Sequence, residues 1–342
     1  MKRVTLRDVA KEAGVSLATV DRVLNGRSKV RPDAAERVKN ALDLLQFRGN
    51  VTPASLTDEQ EYRFQFIIPR GPKNTFMVSL REEAEALGKR LAEQRIFLSF
   101  ADYKELDDEE LTHLLSQINP KICMGVAVVA IDTFAVREAI DALIQKGVGV
   151  VTLVSDVTPS RRLHCIGQNN VAAGRVAASL IGKFTAGLSG SVGIIAGAMT
   201  LCDQADRRVG FEQVITREYP HLRVLPVREG RDDSSITVTV ARELLANNPD
   251  LVGLYNIGAG NRGLINAIEE SGRKSEVVVV AHELTEHARR ALIAGTFDAI
   301  INQNLLHEIE YAVQTLKAFS DSDAGFIAPS VSIDIFVRDN LP

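Results

Sequence analysis

The N-terminal stretch Val4–Asn25, with the sequence VTLRDVAKEAGVSLATVDRVLN, constrains the fold of this chain more than any other segment. Its first apolar residues follow the i, i+3, i+4 and i+7 spacing of a helix with one apolar face: Leu6, Val9, Ala10 and Ala13. Gly14 can take the positive φ that ends a helix at little cost, and Ser16 is a favourable cap for a second helix over residues 17–24. Two short helices joined by a glycine-containing turn predict a helix-turn-helix, whose second helix can enter the major groove of DNA.

The outward face of this second helix carries the groups that we expect to read DNA. Leu17 and Ala18 offer small apolar contacts to base edges, and the Arg22 guanidinium can bind guanine through two hydrogen bonds. Asn25 lies on the same face. The expected phosphate contacts are Arg22, Lys29 and Arg31. Base contacts would select the DNA sequence, whereas phosphate contacts would supply much of the affinity.

The sequence TLRDVAKEAGVSLATVDRVLNG resembles the N-terminal headpiece of the lactose-repressor/galactose-repressor (LacI/GalR) family. The continuation fits the family as well, with a third helix from Pro32 to Leu45. The resemblance implies an all-α helix-turn-helix headpiece over residues 1–49 and a hinge or linker over residues 50–61. In that hinge Leu56 matches the leucine that wedges into the minor groove; an unstructured tether is the alternative for this stretch.

The candidate DNA-binding residues that follow from the pattern and the resemblance together are Thr5, Leu6, Ser16, Leu17, Ala18, Thr19, Arg22, Asn25, Lys29, Arg31 and Leu56. Two positions depart from the family pattern. Asp21 stands where the headpiece commonly has serine, and its carboxylate would repel phosphates unless Arg22 or Lys29 neutralises it. Arg31 replaces the usual serine or threonine cap, which gains a phosphate contact and loses a helix cap.

Charge and cysteine content favour a cytosolic nucleic-acid-binding module attached to an acidic body. Residues 1–50 contain 11 Lys and Arg against 6 Asp and Glu, whereas the remainder contains 29 against 38. The three cysteines are an odd number without a CxxC spacing, which predicts reduced thiols and no metal site. We find neither a secretory signal nor an apolar membrane span, so we expect a cytoplasmic protein with no membrane partner.

From Tyr62 onward, apolar runs alternate with amphipathic helical stretches such as residues 76–94. Continuous apolar strands between helices predict parallel sheets covered on both faces, and the length fits two doubly wound lobes better than one sheet. Ligands of such folds bind at the carboxyl ends of the strands, in the crevice between the lobes. The strand-like runs are residues 64–69, 96–102, 122–130, 148–154, 191–197, 251–257, 277–281 and 299–303.

The same region resembles the sugar-binding, periplasmic-binding-protein-like core of the LacI/GalR family nearly to Pro342. The motifs VVTLVSD, IGQNNVAAGRVAA, DRRVGF, YNIGAGNRG, VVVVAHELT and INQN stand in the family order. The resemblance implies a type I α/β core for effector binding and dimerisation over residues 62–342. Its N-lobe would comprise about 62–157 and 304–328, and its C-lobe about 158–303 and 329–342.

The resemblance also implies a set of effector-binding residues, for which arginine, asparagine, glutamate and glutamine would supply both donors and acceptors to a polyol. The candidates are Asn74, Phe76, Ser155, Asp156, Arg207, Asn256, Glu283 and Gln303. Some have structural alternatives: Arg207 could pair on a surface, Asn256 and Gln303 could cap helices, and Phe76 could belong to the core. Ser155 and Asp156 could instead form the crossover between lobes. Glu283 replaces the more usual aspartate and reaches one methylene further, which favours a smaller or differently posed effector.

Two segments of the sequence are similar to motifs found in enzymes. GAGNRG (258–263) is a literal GxGxxG between a strand and a helix, but a dinucleotide-binding half needs this loop after its first strand, not after most of them. HELTEH (282–287) is similar to the HExxH of zinc proteases, but its histidines are five apart and so do not share one helix face. Neither motif therefore outweighs the resemblance.

The sequence predicts a homodimeric transcriptional regulator that is not an enzyme and holds no cofactor or metal. We expect it to be a repressor of a carbohydrate or polyol utilisation operon. Its partners would be near-palindromic double-stranded operator DNA and a small sugar or polyol effector between the lobes. Two alternatives remain: a solute-binding protein with a degenerate DNA-binding head, for which Asp21 speaks, and a nucleotide-dependent oxidoreductase that uses GAGNRG.

Overall fold

The computed structural model describes residues 6–24, 30–44, 60–71 and 74–342. The chain divides into two compact units, residues 1–61 and residues 62–342, and each is described by itself. Within the described residues, no helix combines the length and the apolar character that crossing a bilayer requires.

The N-terminal unit contains three helices: α1 (Leu6–Glu12), α2 (Leu17–Leu24) and α3 (Pro32–Leu44). Gly14, two residues after the end of α1, takes a φ of +60°, and Ser16 Oγ accepts a hydrogen bond from the Thr19 amide at 3.2 Å. Both features agree with the sequence prediction. The described side chains that form the small core between the helices are Val9, Ala10, Ala13, Val20, Val38 and Ala41. The apolar side chains along one face of each helix therefore hold the helix-turn-helix together.

The first lobe of the larger unit is built on a parallel sheet of order β2-β1-β3-β4-β5. Its strands are β1 (Tyr62–Arg70), β2 (Ile96–Lys104), β3 (Gly125–Val128), β4 (Gly149–Leu153) and β5 (His164–Ile166). Its helices are α4 (Thr75–Leu91), α5 (Asp108–Ser116) and α6 (Phe134–Gln145), joined near the end of the chain by α12 (Leu305–Ser320). One apolar cluster packs α4 and α12 against one face of the sheet, and a second packs α5 and α6 against the other.

The second lobe is built on a sheet of order β12-β11-β10-β9-β6-β7, with β8 also paired to β6. Its strands are β6 (Gly190–Ala196), β7 (Leu222–Val224), β8 (Arg228–Glu229), β9 (Leu251–Asn256), β10 (Val278–His282), β11 (Ala299–Asn302) and β12 (Asp334–Phe336). Its helices are α7 (Asn170–Phe184), α8 (Cys202–Glu218), α9 (Ser234–Asn247), α10 (Asn261–Ser271) and α11 (Glu286–Ala294). All pairs are parallel except β11 with β12.

The predicted fold class of two doubly wound lobes is confirmed, and each of the eight predicted strand runs overlaps a strand. The prediction missed β5, β7, β8 and β12, because two or three residues are too few for a periodic pattern to be read. The lobe boundary predicted after residue 157 is placed too early. Residues His164–Ile166 pair with Val151–Leu153 in the first sheet, so the first lobe extends through β5.

The chain passes between the lobes three times within residues 74–342: after β5, after β11 and before β12. Two of these connections touch, because Gln168 and Val331 form an isolated parallel bridge. Several short connections of this kind allow two lobes to change their relative angle while each keeps its own core.

Helices α7 and α8 approach each other closely enough for backbone contact. A Cβ on Gly174 would lie 1.9 Å from the Arg207 carbonyl oxygen, and a Cβ on Gly210 would lie 2.0 Å from the Val171 carbonyl oxygen. Any side chain at either glycine would therefore force the two helices apart. This close crossing determines where α8, and with it Arg207, stands in the second lobe.

Candidate functional site

A cleft opens between the lobes at the carboxyl ends of the two sets of parallel strands. It measures about 750 Å³ when the space open to solvent is counted, within the ~300–1,000 Å³ typical of small-molecule sites. Apolar side chains such as Phe76, Val129 and Ile131 line it together with polar side chains from both lobes. An apolar cleft with a few convergent polar groups is typical of a site for a small polar ligand.

Asn74 and Glu105 form a polar pair on the first lobe. Asn74 caps α4, where its Oδ1 accepts a hydrogen bond from the Met77 amide at 3.3 Å. Its Nδ2 donates to Glu105 Oε1 at 2.8 Å, and Glu105 directly follows β2. Burial raises the pKa of Glu105, although the hydrogen bond from Asn74 opposes the shift. The helix cap thus holds the amide that in turn orients the carboxylate.

Two residues that line the cleft have left-handed backbone conformations at the ends of strands. Val154, after β4, has a φ of +62°, and Glu283, after β10, has a φ of +69°. A positive φ costs a residue other than glycine about 1–3 kcal/mol, and such strain is concentrated at functional sites. Here it reverses the chain where Ser155 and Glu283 enter the cleft.

Arg207 is the central cation on the second lobe, with 3% of its surface exposed. Its Nε donates to Asn170 Oδ1 and its Nη1 to the Ile257 carbonyl oxygen, both at 2.8 Å. Its Nη2 lies 4.0 Å from Asp203 Oδ2 and 3.9 Å from Glu283 Oε1. The guanidinium is therefore held within its own lobe and its charge is shared by two carboxylates.

A hydrogen bond joins Glu283, which follows β10, to Gln303, which lies in the connection that follows β11. Gln303 Nε2 donates to Glu283 Oε1 at 2.8 Å, while Gln303 Oε1 receives no hydrogen bond from the described residues. Burial raises the pKa of Glu283 to about 7, and the positive charge of Arg207 opposes the shift. Gln303 is 2% exposed and lines the cleft. A bound ligand could therefore donate a hydrogen bond to its side-chain oxygen.

The glycine-rich loop GAGNRG is occupied by a carboxylate of the protein itself. Asp232 Oδ1 accepts a hydrogen bond from the Ala259 amide at 2.6 Å, and Asp232 Oδ2 accepts one from Gln204 Nε2 at 3.3 Å. A Cβ on Gly258 would lie 2.6 Å from Asp232 Oδ1, and Gly260 caps α10 with a φ of +90°. The glycines therefore accommodate Asp232 and the turn, and an anionic phosphate at this loop would meet a carboxylate.

Six of the eight predicted effector residues line the cleft: Asn74, Phe76, Ser155, Arg207, Glu283 and Gln303. Asp156 does not, because it accepts a hydrogen bond from Thr152 and pairs with Arg162. Asn256 does not either, since it is fully buried and donates to Asn261 Oδ1 at 2.7 Å. These two side chains support the walls of the cleft.

Sequence reasoning missed several polar residues of the cleft, among them Glu105, Asp203, Gln204, Asp232 and Asn261. Asp203 lies one helical turn before Arg207 on the same face of α8, a spacing that could have identified it. Glu105 directly follows a strand that the prediction ended two residues early. Asp232 follows a two-residue strand, for which the sequence carries no signal.

The histidines of HELTEH do not meet. His282 Nε2 lies 2.7 Å from Tyr255 Oη, and burial holds the pKa of His282 well below its ordinary value. His287 Nε2 lies 3.0 Å from Thr285 Oγ1, and burial lowers the pKa of His287 to about 4. Both rings are therefore neutral at pH 7, and no group of three potential metal ligands occurs within the ranges that the structure covers.

The candidate DNA-binding residues fall into three groups. Ser16 and Arg22 are exposed on or beside α2, Thr19 is half-buried there, and Arg31 is exposed directly before α3. The backbones of Leu6, Leu17 and Ala18 lie in α1 and α2. The others lie outside the described residues: Thr5, Asn25, Lys29 and Leu56.

Two family models match the chain. Residues 64–323 match the periplasmic binding protein domain, and residues 5–50 match the model of bacterial regulatory proteins, lacI family. The first match covers most of the larger unit, and the second covers the three helices of the smaller one.

Two relatives match this chain over most of its length. The chain is similar to the HTH-type transcriptional regulator GalS of Salmonella typhimurium, at 24% identity over 79% of this chain and 76% of the relative. It is similar to catabolite control protein A of Staphylococcus epidermidis, at 26% identity over 79% of each chain. Relatives of this kind are regulators and not enzymes.

Solved structures share the fold of the core. The glucose-galactose binding protein GanP of Geobacillus stearothermophilus matches with a TM-score of 0.75 at 20% identity, over 83% of this chain and 100% of that one. A solute-binding protein of Burkholderia graminis in complex with D-arabinose matches with a TM-score of 0.74 at 21% identity, over 83% and 98%.

Proposed function

The chain belongs to the periplasmic binding protein domain family and carries the N-terminal domain of lacI-family regulators, and from this premise we propose that it is an effector-controlled transcriptional repressor. It acts in the cytoplasm as a homodimer, and its two heads bind a near-palindromic operator. The genes that it controls serve the use of a carbohydrate or polyol. The effector is a small hydroxylated molecule that binds between the lobes.

One observation carries the effector part of this proposal. Polar side chains from both lobes, Asn74 and Glu105 on one and Arg207 and Glu283 on the other, line a single cleft. A ligand that contacts both walls is bound more tightly when the lobes are closed, so its binding shifts the angle between them. The sugar-binding proteins that share this fold support a sugar-like effector.

The DNA-binding part rests on the three-helix unit. Arg22 is exposed on α2, the second helix of a helix-turn-helix whose core is buried behind it. Arg22 is thus available to a base edge or a phosphate. We assign Lys29, Arg31 and the hinge residue Leu56 the further DNA contacts that the family resemblance implies.

A titration of the full chain against its own upstream DNA at several salt concentrations tests this assignment. We expect affinity to fall steeply with salt, because phosphate contacts release counterions. Arg22→Ala should lower discrimination at one base pair by about 1–3 kcal/mol. The matched control is Arg37→Ala, which removes an exposed arginine of α3 that pairs with Asp33, and to which we assign no base contact.

Two outcomes would contradict the proposal. In the first, Arg22→Ala weakens binding to every DNA sequence equally, which would exclude Arg22 from base recognition. In the second, the protein binds sugars but no DNA, as a solute-binding protein with a degenerate head would. Asp21 on α2 is the specific feature that favours this second function.

A further inference from the structure

The cleft offers an excess of negative charge and of hydrogen-bond acceptors. Among the described residues, four acidic side chains line it, from Glu105, Asp203, Asp232 and Glu283, against the single guanidinium of Arg207. The two histidines of this lining are neutral, because burial holds the pKa of each below its ordinary value. Burial raises the pKa of Asp232 and of Glu283 to about 7, and a cationic ligand would favour the ionised form of each. A ligand that enters this cleft therefore meets more acidic than basic groups.

Arg207, the one cation among the described residues that line the cleft, is already engaged by the protein. Arg207 donates to Asn170 and to the Ile257 carbonyl, and its remaining amino group lies near Asp203 and Glu283. A phosphate or carboxylate on the ligand would have to displace these partners. An anionic effector is thus disfavoured by the geometry as well as by the charge.

Among the described residues, neither Glu105 nor Asp232 has such a counter-ion. No described Lys or Arg lies within salt-bridge distance of either carboxylate; Lys73 lies outside the described residues. Glu105 belongs to the first lobe and Asp232 to the second, so a group that attracts both would draw the lobes together. The charge of Glu105 also contributes to the raised pKa of Asp232, which burial brings to about 7, so the two carboxylates are close enough to repel each other.

Two further buried acceptors in the cleft point to a ligand that brings donors. Asp203 Oδ1 and Gln303 Oε1 have no well-formed hydrogen bond from the described residues, although both side chains are more than nine-tenths buried and line the cleft. The Ser155 hydroxyl lies near enough to the Asp203 carboxylate to lower its pKa. Unsatisfied buried acceptors cost free energy unless a ligand or water donates to them. Hydroxyl groups of a ligand would satisfy them.

A depression that adjoins the cleft is also rich in acidic side chains. Glu105 lines it together with Asp107, Asp108, Glu109 and Asp233, against Lys104 and Arg231. Carboxylates focused in a groove raise the local concentration of cations. The surface beside the site thus attracts the same class of ligand as the site itself.

We propose that the effector is a polyhydroxylated amine, an amino sugar or amino-alditol, whose ammonium group binds between Glu105 of the first lobe and Asp232 of the second. Its hydroxyl groups donate to Asp203 Oδ1 and Gln303 Oε1. This inference rests on the proposed function and narrows the effector class to a cationic one. Without a ligand, the carboxylates of Glu105 and Asp232 repel each other across the cleft. An ammonium group between them attracts both, so its binding favours closure of the lobes.

Matched sets of compounds test this directly on the full chain by isothermal titration calorimetry. Glucosamine, galactosamine, mannosamine and glucamine are each compared with the parent hexose or alditol, and the amino sugars also with the N-acetyl derivative and the hexose 6-phosphate. We expect one amino compound to bind at least tenfold more tightly than each of its counterparts. The preference should persist in EDTA, since the ammonium and not a bound divalent cation meets the carboxylates.

Glu105→Gln is the diagnostic variant. It should reduce the preference for the amine over its parent at least tenfold, because the neutral amide keeps the size of the side chain and removes its charge. The matched control is Glu82→Gln, which removes one exposed carboxylate from α4 of the same lobe, outside the cleft. The control should leave the preference unchanged.

The inference is overturned if no amino compound of the panel binds more tightly than its parent, or if Glu105→Gln retains the full preference. It is also overturned if neutral sugars bind only with added Ca²⁺. Release of operator DNA by a neutral sugar would overturn the amine and leave the proposed regulator standing. Tight binding of an amino compound without any effect on DNA binding would support the amine and contradict the proposed regulator.

Discussion

At the scale of single residues, the most demanding environment is that of Glu308. It lies in the first turn of α12, is fully buried, and neither carboxyl oxygen has a hydrogen-bond partner among the described residues. Burial, and next the negative charge of Glu283, raise the pKa of Glu308 well above its ordinary value. An unpaired carboxylate at this depth is costly, so the fold favours the protonated form of Glu308.

Glu308→Gln should therefore change how stability depends on pH. The raised pKa means that the folded protein holds a proton which the unfolded chain releases above its ordinary pKa, so Glu308 costs stability as pH rises from that value towards the folded pKa. Within this window the variant should gain up to about 1.4 kcal/mol per pH unit over the wild type. Urea unfolding of the core between pH 5 and 8 measures the difference.

The control is Glu310→Gln on the same helix, whose carboxylate is partly exposed and lies 3.7 Å from Arg90. Such a pair contributes little, so its pH curve should run parallel to that of the wild type. Parallel curves for Glu308→Gln as well would show that Glu308 is ionised in the folded protein.

At the scale of elements, the crossing of α7 and α8 links packing to the cleft. Gly174 and Gly210 let the two backbones touch, and the atom that a Cβ on Gly174 would strike is the carbonyl oxygen of Arg207. The same residue supplies the guanidinium of the cleft. The close packing of α7 against α8 in the second lobe thus also fixes the position of the Arg207 charge in the cleft.

Gly174→Ala should destabilise the second lobe by at least about 1–3 kcal/mol, because the new methyl group meets backbone that cannot rotate away. It should also weaken effector binding as α8 shifts. Gly88→Ala in α4 is the matched control: its Cβ would lie 3.3 Å from the side chain of Leu98, which can adjust. Alanine is favoured over glycine in a helix by about 1 kcal/mol, so this control should be neutral or stabilising.

Thermal unfolding and effector titration of both variants test the prediction. Equal stability of Gly174→Ala and the wild type would contradict the close crossing. A loss of stability without any change in effector affinity would separate the packing of α8 from the position of Arg207.

At the scale of the whole molecule, the lobes are joined by three connections and also touch at the side chains of Asp132 and Cys202. The Cys202 thiol donates to Asp132 Oδ2 at 3.3 Å, and Asp132 also accepts from Arg137 at 2.9 Å. Rearrangement of such weak contacts lets ligand binding change the angle between the lobes at low cost.

If effector binding lowers operator affinity, the reverse effect must be equal. We expect a coupling free energy of about 1–3 kcal/mol, so operator DNA should weaken effector binding about 5–150-fold. Effector titrations with and without saturating operator measure this factor, and operator titrations with and without effector measure it independently. In Arg22→Ala, which reads the operator poorly, the effector affinity without DNA should be unchanged. Unequal factors would mean that the two ligands do not act on one shared equilibrium.

Local patterns in the sequence were sufficient for features that each segment specifies by itself. The α1–α2 hairpin follows from apolar spacing, Gly14 and Ser16, since these act within one turn or one helix face. The eight long strands follow from apolar runs, because a strand buried on both faces is apolar along its length. The resemblance added six residues that line the cleft, among them Arg207 and Glu283.

Only the tertiary structure decided which polar neighbours face the ligand. Ser155 enters the cleft and Asp156 does not, because the left-handed turn at Val154 redirects the chain and Arg162 holds the aspartate. Asp232 reaches the cleft because the Ala259 amide, far away in sequence, anchors it. The charge of the cleft is a sum over loops of two lobes, which no local pattern contains. Residue periodicity reports the environment of one segment, whereas a binding site is made where several segments end together.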